Sequence, residues 1–144
     1  MAGSGYRGYI ASRPIMGERI PQHVQNLVLR DYAGRRGLTL LLPAAEYAMP
    51  GCHMILEQVV DELAGLDGIV AYSLFMLPDQ PAARESLWRR VRGAGGAIHF
   101  ALEGLAMADD DGFFRIEDIR LARRCLDSGA SAPAAMLADW LGHD

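Results

Sequence analysis

The chain contains no lysine, and all fourteen of its basic residues are arginine. That absence excludes Schiff-base chemistry on a lysine, and with it lysine-bound pyridoxal phosphate. It also excludes a Walker A phosphate loop, whose lysine is obligatory. Cysteine is scarce, with only Cys52 and Cys125, far apart in sequence. No Cys-x-x-Cys or His-x-x-x-His spacing occurs, so neither a disulfide framework nor a structural zinc site is expected. The nucleophile elbow Gly-x-Ser-x-Gly is missing, and the one Gly-x-Gly-x-x-Gly string, Gly3 to Gly8, runs into the first strand and does not link a strand to a helix, so no dinucleotide site is expected. No cofactor is expected. No run of about 18 apolar residues is present, so no membrane span is expected. The opening Met-Ala-Gly-Ser-Gly lacks the charged and apolar regions of a secretory signal, which makes the cytoplasm the expected compartment. Acidic residues outnumber basic ones, and the net charge of −4 argues against a nucleic-acid partner.

What the chain does have is apolar content. Of its 144 residues 51% are hydrophobic, enough for one domain with one core. Residues 6–12 read as a first strand and 13–20 as a loop. Pro21 opens a helix in which Val24, Leu27, Val28 and Tyr32 recur at helical spacing, and Gly37 ends it. The run Leu-Thr-Leu-Leu-Leu-Pro at 38–43 is continuously apolar, as in a strand buried on both faces of a parallel sheet. A second helix is expected over 52–63, with Ile55, Val59, Val60 and Leu63 inward. A third strand with its exit follows over 68–77. A third helix starts at Pro81, apolar at Leu87, Trp88 and Val91, its arginines 84, 89, 90 and 92 reading as a solvated face. A fourth strand spans 97–102, Asp109 to Gly112 forms a polar turn, and a fourth helix spans 115–126. These elements make an α/β domain over 6–127, followed by a linker and short amphipathic helix over 128–144 containing Trp140.

Strands alternating with helices imply a parallel sheet of about four strands, order 2-1-3-4, with helices on both faces. Ligands of such folds sit at the carboxyl edge of the strands. The loops at that edge carry Ser12 and Arg13, Glu18 and Arg19, Glu46 and Tyr47, Ser73, and Glu103, with Gln22 at the start of the first helix. Arginine grips phosphate or carboxylate with a planar fork, so Arg13 and Arg19 are the expected anion contacts. Glu46 and Glu103 are the candidate acid/base pair, and Ser12 a nucleophile if a base lies beside it. Glu18, Gln22, Tyr47 and Ser73 would position the ligand. These residues are expected to converge on one pocket, with Arg13 the principal anion contact.

Three resemblances bear on this reading. Gly8-Tyr9 opening the first strand, Gln22 and Gln25 at the first helix, Pro50-Gly51 before the second, Leu74 to Leu77 after the third strand and Glu103 after the fourth resemble the catalytic domain of the serine recombinases, or resolvases. That resemblance implies the fold but not the activity. Arg13 stands where the nucleophilic serine belongs, Ser12 is one position early, and Phe75-Met76 replace the Asp-Arg pair after the third strand. Over residues 6–120, long strings resemble a bacterial family called sporadic carbohydrate cluster proteins: Gly8 to Asn26, Glu46 to Cys52, Leu66 to Asp79, and His99 to Glu103. This resemblance implies surface-polysaccharide or sugar biosynthesis, with a sugar or sugar nucleotide as ligand. It leaves open a homo-oligomer or a biosynthetic enzyme as partner. The spacing of Asp79 and Glu85 is similar to that of nucleoside 2-deoxyribosyltransferases, which implies glycosyl-bond chemistry as a further enzyme class.

Overall fold

The computed structural model describes residues 5–127. The expected linker and C-terminal helix, Trp140 included, lie outside the described residues. Five strands form one sheet in the order β2-β1-β3-β4-β5: β1 Tyr6–Ala11, β2 Leu40–Glu46, β3 Gly68–Ala71, β4 Ala97–Phe100 and β5 Leu105–Met107. The first four are parallel, in the expected order; β5 adds an antiparallel edge. Among the described residues, four α-helices, α1 Gln22–Arg36, α2 Met54–Asp61, α3 Pro81–Gly93 and α4 Asp110–Asp127, and two short 3₁₀ turns, Leu63–Gly65 and Leu74–Met76, complete the domain.

Side-chain size sets how closely the layers approach. Gly8, Val70 and His99 lie in one row across β1, β3 and β4, on the face that receives α1. A Cβ on Gly8 would lie 3.1 Å from both Leu29 Cδ1 and Pro43 Cα, so the bare backbone lets α1 sit down on the sheet. The next row, Tyr9, Ala71 and Phe100, points to the opposite face, where α2 and α3 pack. Gly68 answers a second close approach: a Cβ there would meet the Ala97 carbonyl oxygen at 2.1 Å. Leu29, Leu56, Leu63, Ile69, Leu74, Leu87, Ile98, Phe100 and Ile116 are all fully buried between these layers.

Several expectations need correction. β5 is not among the expected strands; Gly104, at φ +70°, turns the chain back so that three residues pair with β4. The inward face of α1 is Gln25, Leu29, Tyr32 and Ala33, while Leu27 is exposed. Gln25 is buried because its amide brackets the end of β1, accepting from the Ala11 N–H and donating to the Ala11 and Ile20 carbonyls. Cys52 and His53 precede α2 instead of starting it, and Leu56, not Ile55, is its fully buried residue in that turn. The acidic turn belongs to α4: Asp109 Oδ1 accepts from the Gly112 N–H at 2.7 Å, so Asp109 caps the helix and Asp110 and Asp111 sit in its first turn. Arg84 is not solvated. It is buried on α3 and donates to both carboxylate oxygens of Glu117 on α4, at 2.7 and 2.9 Å, and to the Pro78 and Asp79 carbonyls.

Candidate ligand-binding cleft

A cleft of about 610 Å³ opens at the carboxyl edge of the parallel strands. One side is built from the end of β1 and its loop (Tyr9, Ala11, Arg13 to Met16), with Glu46, Gly51 and His53 beside it. The floor is the exit from β3, Phe75 to Leu77 and Asp79. The far wall is the last turns of α4, with Arg120, Arg123, Arg124 and Asp127. α4 reaches this edge because β5 runs antiparallel and returns the chain to the opposite edge before α4 begins.

Glu46, 1% exposed, ends β2 with both oxygens engaged. Oε1 accepts from the Tyr9 hydroxyl at 2.8 Å and the Leu56 N–H at 3.1 Å; Oε2 accepts from the Tyr47 and Ile55 N–H groups, each at 3.1 Å. The Cys52 thiol approaches Oε2 at 3.7 Å. Two of the amides otherwise unpaired at the start of α2 are thus satisfied by a carboxylate, which the helix dipole also favours. Burial alone would raise the pKa of this carboxyl, but the Ile55, Tyr9, Leu56 and Tyr47 donors outweigh it and hold the group below its usual range. Burial and the hydrogen bond to Glu46 push Tyr9 far above the usual phenol value. Glu46 is an ionised anchor between sheet and helix.

Arg13 enters the cleft from the β1 loop. Its Nη1 donates to three carbonyls, Tyr47 at 3.3 Å, Met49 at 3.1 Å and Cys52 at 2.6 Å, and its Nη2 lies 3.3 Å from His53 Nε2. It therefore staples the β1 loop to the β2–α2 loop. Arg13 forms no ion pair among the described residues.

The other expected site residues do not line the cleft. Ser12 Oγ accepts from Gln22 Nε2 at 2.9 Å, which ties the β1 loop to the first turn of α1. Among the described residues Arg19 reaches only the Ser12 carbonyl, at 3.5 Å. Glu18 is exposed and exchanges backbone hydrogen bonds with Ile15 in a tight turn. Tyr47 is exposed. Ser73 and Glu103 make a separate cluster: Ser73 Oγ donates to Glu103 Oε2 at 2.7 Å, and Glu103 Oε1 accepts from the Leu74 N–H at 3.0 Å. That pair fastens the β4–β5 turn to the exit of β3. The expected convergence of Ser12, Arg13, Glu18, Arg19, Glu46 and Glu103 thus reduces to Arg13 and Glu46. The topological rule places loops at an edge correctly but says nothing about which side chains turn inward.

The arginine wall of α4 was missed. Arg120, Arg123 and Arg124 recur at the i, i+3, i+4 spacing that puts side chains on one helical face, and that spacing was the available signal. Arg123 pairs with Asp127 at 3.1 Å. Arg120 donates to the Leu74 carbonyl at 3.2 Å and reaches Asp79 Oδ1 at 3.4 Å, with its guanidinium 5.8 Å from the centre of the Phe75 ring.

Neither a protein-family profile nor a curated protein sequence matches the chain. Two solved structures resemble it. One is a resolvase family site-specific recombinase from Streptococcus pneumoniae, with TM-score 0.60 and 11% identity over 83% of this chain and 88% of that one. The other is the N-terminal catalytic domain of TP901-1 integrase, with TM-score 0.53 and 12% identity over 82% of this chain and 94% of that one. The fold is that of a resolvase catalytic domain.

Proposed function

We propose that the protein serves bacterial surface-polysaccharide or sugar biosynthesis by binding a sugar or sugar nucleotide in the cleft at the carboxyl edge of the sheet. The resemblance to sporadic carbohydrate cluster proteins supplies the biological setting. The observation that carries the reading is the cleft itself. Its volume suits a small molecule. It combines the apolar Ile15, Met16, Phe75, Met76 and Leu77 with four arginines and a histidine. The site binds; acid/base work by Glu46 and Glu103 finds no support, because their oxygens already accept from Tyr9, Ser73 and backbone amides. The reading also excludes strand exchange on DNA. Ser12 is held by Gln22 outside the cleft, and Phe75-Met76 offer no guanidinium. A second reading, a docking partner for a carbohydrate-biosynthesis enzyme, draws on exposed Tyr47, Met49 and Met54 around the β2–α2 loop.

Calorimetric titration of the full chain with nucleotide sugars, hexose phosphates and a DNA duplex tests the main reading. Saturable binding of a sugar ligand tighter than about 1 mM, weakened by Arg123→Glu at the exposed wall, supports it. Binding of the duplex alone, or of no sugar ligand, overturns it.

A further inference from the structure

We infer that Arg120 is the phosphoryl contact of this cleft, with Arg13 its companion, so that the sugar taken there carries a phosphate. The inference rests on the reading that the cleft is the ligand site, and adds the chemical class of the ligand.

Two arginines near the α3–α4 junction make the contrast. The Arg84 side chain is 5% exposed and fully compensated, with two bonds to the Glu117 carboxylate and two to backbone carbonyls. The Arg120 side chain is only 13% exposed, yet its nearest carboxylate is Asp79 at 3.4 Å, a side chain 91% exposed to water. A guanidinium taken largely out of water with only a long ion pair to a water-exposed carboxylate is incompletely compensated, and a bound anion relieves that cost. Burial, and then the neighbouring positive Arg84, lower the proton affinity of Arg120, and Asp79 and Glu117 offset this only in part. Arg120 lines the cleft, as does Arg13, which has three carbonyl acceptors and, among the described residues, no carboxylate partner. Two cations in one cleft, Arg120 with one long ion pair and Arg13 with none among the described residues, match a dianionic phosphoryl group better than a singly charged carboxylate. The Phe75 ring beneath Arg120, with Met76 and Leu77, supplies the apolar floor against which a sugar or base face rests.

The test is calorimetric titration of the full chain with glucose, glucuronate, a hexose phosphate and a nucleoside-diphosphate hexose. Binding of either phosphorylated probe at least about tenfold tighter than glucose and glucuronate is expected, as the loss of a charge-assisted contact implies. Arg120→Met should weaken that probe about ten- to a hundredfold, while Arg120→Lys retains part of the affinity. Thermal melting checks that Arg120→Met stays folded. Should it fail to fold, the Arg120 Nε–Hε resonance of the unmutated protein gives the answer: it shifts on saturation with the phosphorylated probe. Glucose or glucuronate binding as tightly as the phosphorylated probes, an unchanged affinity in folded Arg120→Met, or an unmoved resonance overturns the phosphoryl assignment and leaves the cleft reading standing. No binding of any probe removes both.

Discussion

The Tyr9 hydroxyl donates to Glu46 Oε1 at 2.8 Å, joining the ends of β1 and β2 inside the core. Glu46 in turn holds the first amides of α2 through Ile55 and Leu56. Tyr9→Phe removes one charge-assisted bond and should cost about 1.5–3 kcal/mol in urea unfolding. Glu46→Gln should cost at least as much, because an amide nitrogen cannot accept from the donors that a carboxylate oxygen serves. The folded carboxyl lies below its ordinary 4.5, so the unfolded chain binds the proton more readily. The stabilisation from Glu46 is therefore full above about pH 4.5 and is lost as pH falls through the folded value. Glu46→Gln should flatten this acid limb of the stability profile; an unchanged limb contradicts the assignment of Glu46 as an ionised anchor.

Glu117 exists to compensate Arg84. Glu117→Ala leaves a buried guanidinium facing only carbonyls and should destabilise the domain by about 3–5 kcal/mol. Adding Arg84→Met to that variant should restore much of the loss, since the site then holds no charge. A double variant no more stable than Glu117→Ala would show that the two carbonyl bonds of Arg84, and not its charge, hold α3 against the loop.

These pairings also mark the limit of what the sequence made legible. The central strands were readable because β3 is buried on both faces and its composition carries that fact without reference to any partner. The run at 38–43 is not buried on both faces, since β2 is an edge strand with Leu42 81% exposed, and β2 runs on to include Glu46. That loops carrying Glu46 and Glu103 lie at the carboxyl edge was readable from the alternation of strands and helices. What each carboxylate touches was not, because Tyr9 lies 37 residues from Glu46 and Ser73 lies 30 from Glu103. Arg84 looked solvated because nothing local distinguishes it from Arg89; only Glu117, 33 residues on, makes its burial tolerable. β5 went unseen because three residues show no periodicity, and Gly104 alone does not signal a hairpin. The inward face of α1 was misread because buried Gln25 carries no hydrophobic signal, while exposed Leu27 carries a strong one.

His99 sits in β4 on the α1 face, with Nδ1 2.7 Å from the Tyr32 hydroxyl and the Tyr6 ring edge-on. Burial, and secondly the charge of Arg36, lower its proton affinity below the ordinary 6.5. The unfolded chain therefore binds this proton more readily. The contribution to stability is present above about pH 6.5 and falls as the solution is acidified through the folded value. The denaturation midpoint should drop between pH 7 and pH 5.5, and His99→Gln should make that slope shallower. An identical slope in the variant would assign the pH dependence elsewhere.

Arg13 has a structural duty besides lining the cleft. Removing its side chain frees the Tyr47, Met49 and Cys52 carbonyls. Arg13→Ala should accelerate amide exchange across residues 47–53 by about tenfold or more while leaving the β3 and β4 amides protected. Uniform acceleration through the sheet would instead make Arg13 a determinant of global stability.

The cleft as ligand site is tested most directly by a crystal structure of the protein soaked with a nucleoside-diphosphate hexose. The account predicts density between the Arg13 loop and the α4 wall, its phosphoryl oxygens within hydrogen-bond distance of Arg120 and its apolar face on Phe75. Ordered ligand at another surface, with the cleft unfilled and Arg120 still turned to Asp79, would contradict it.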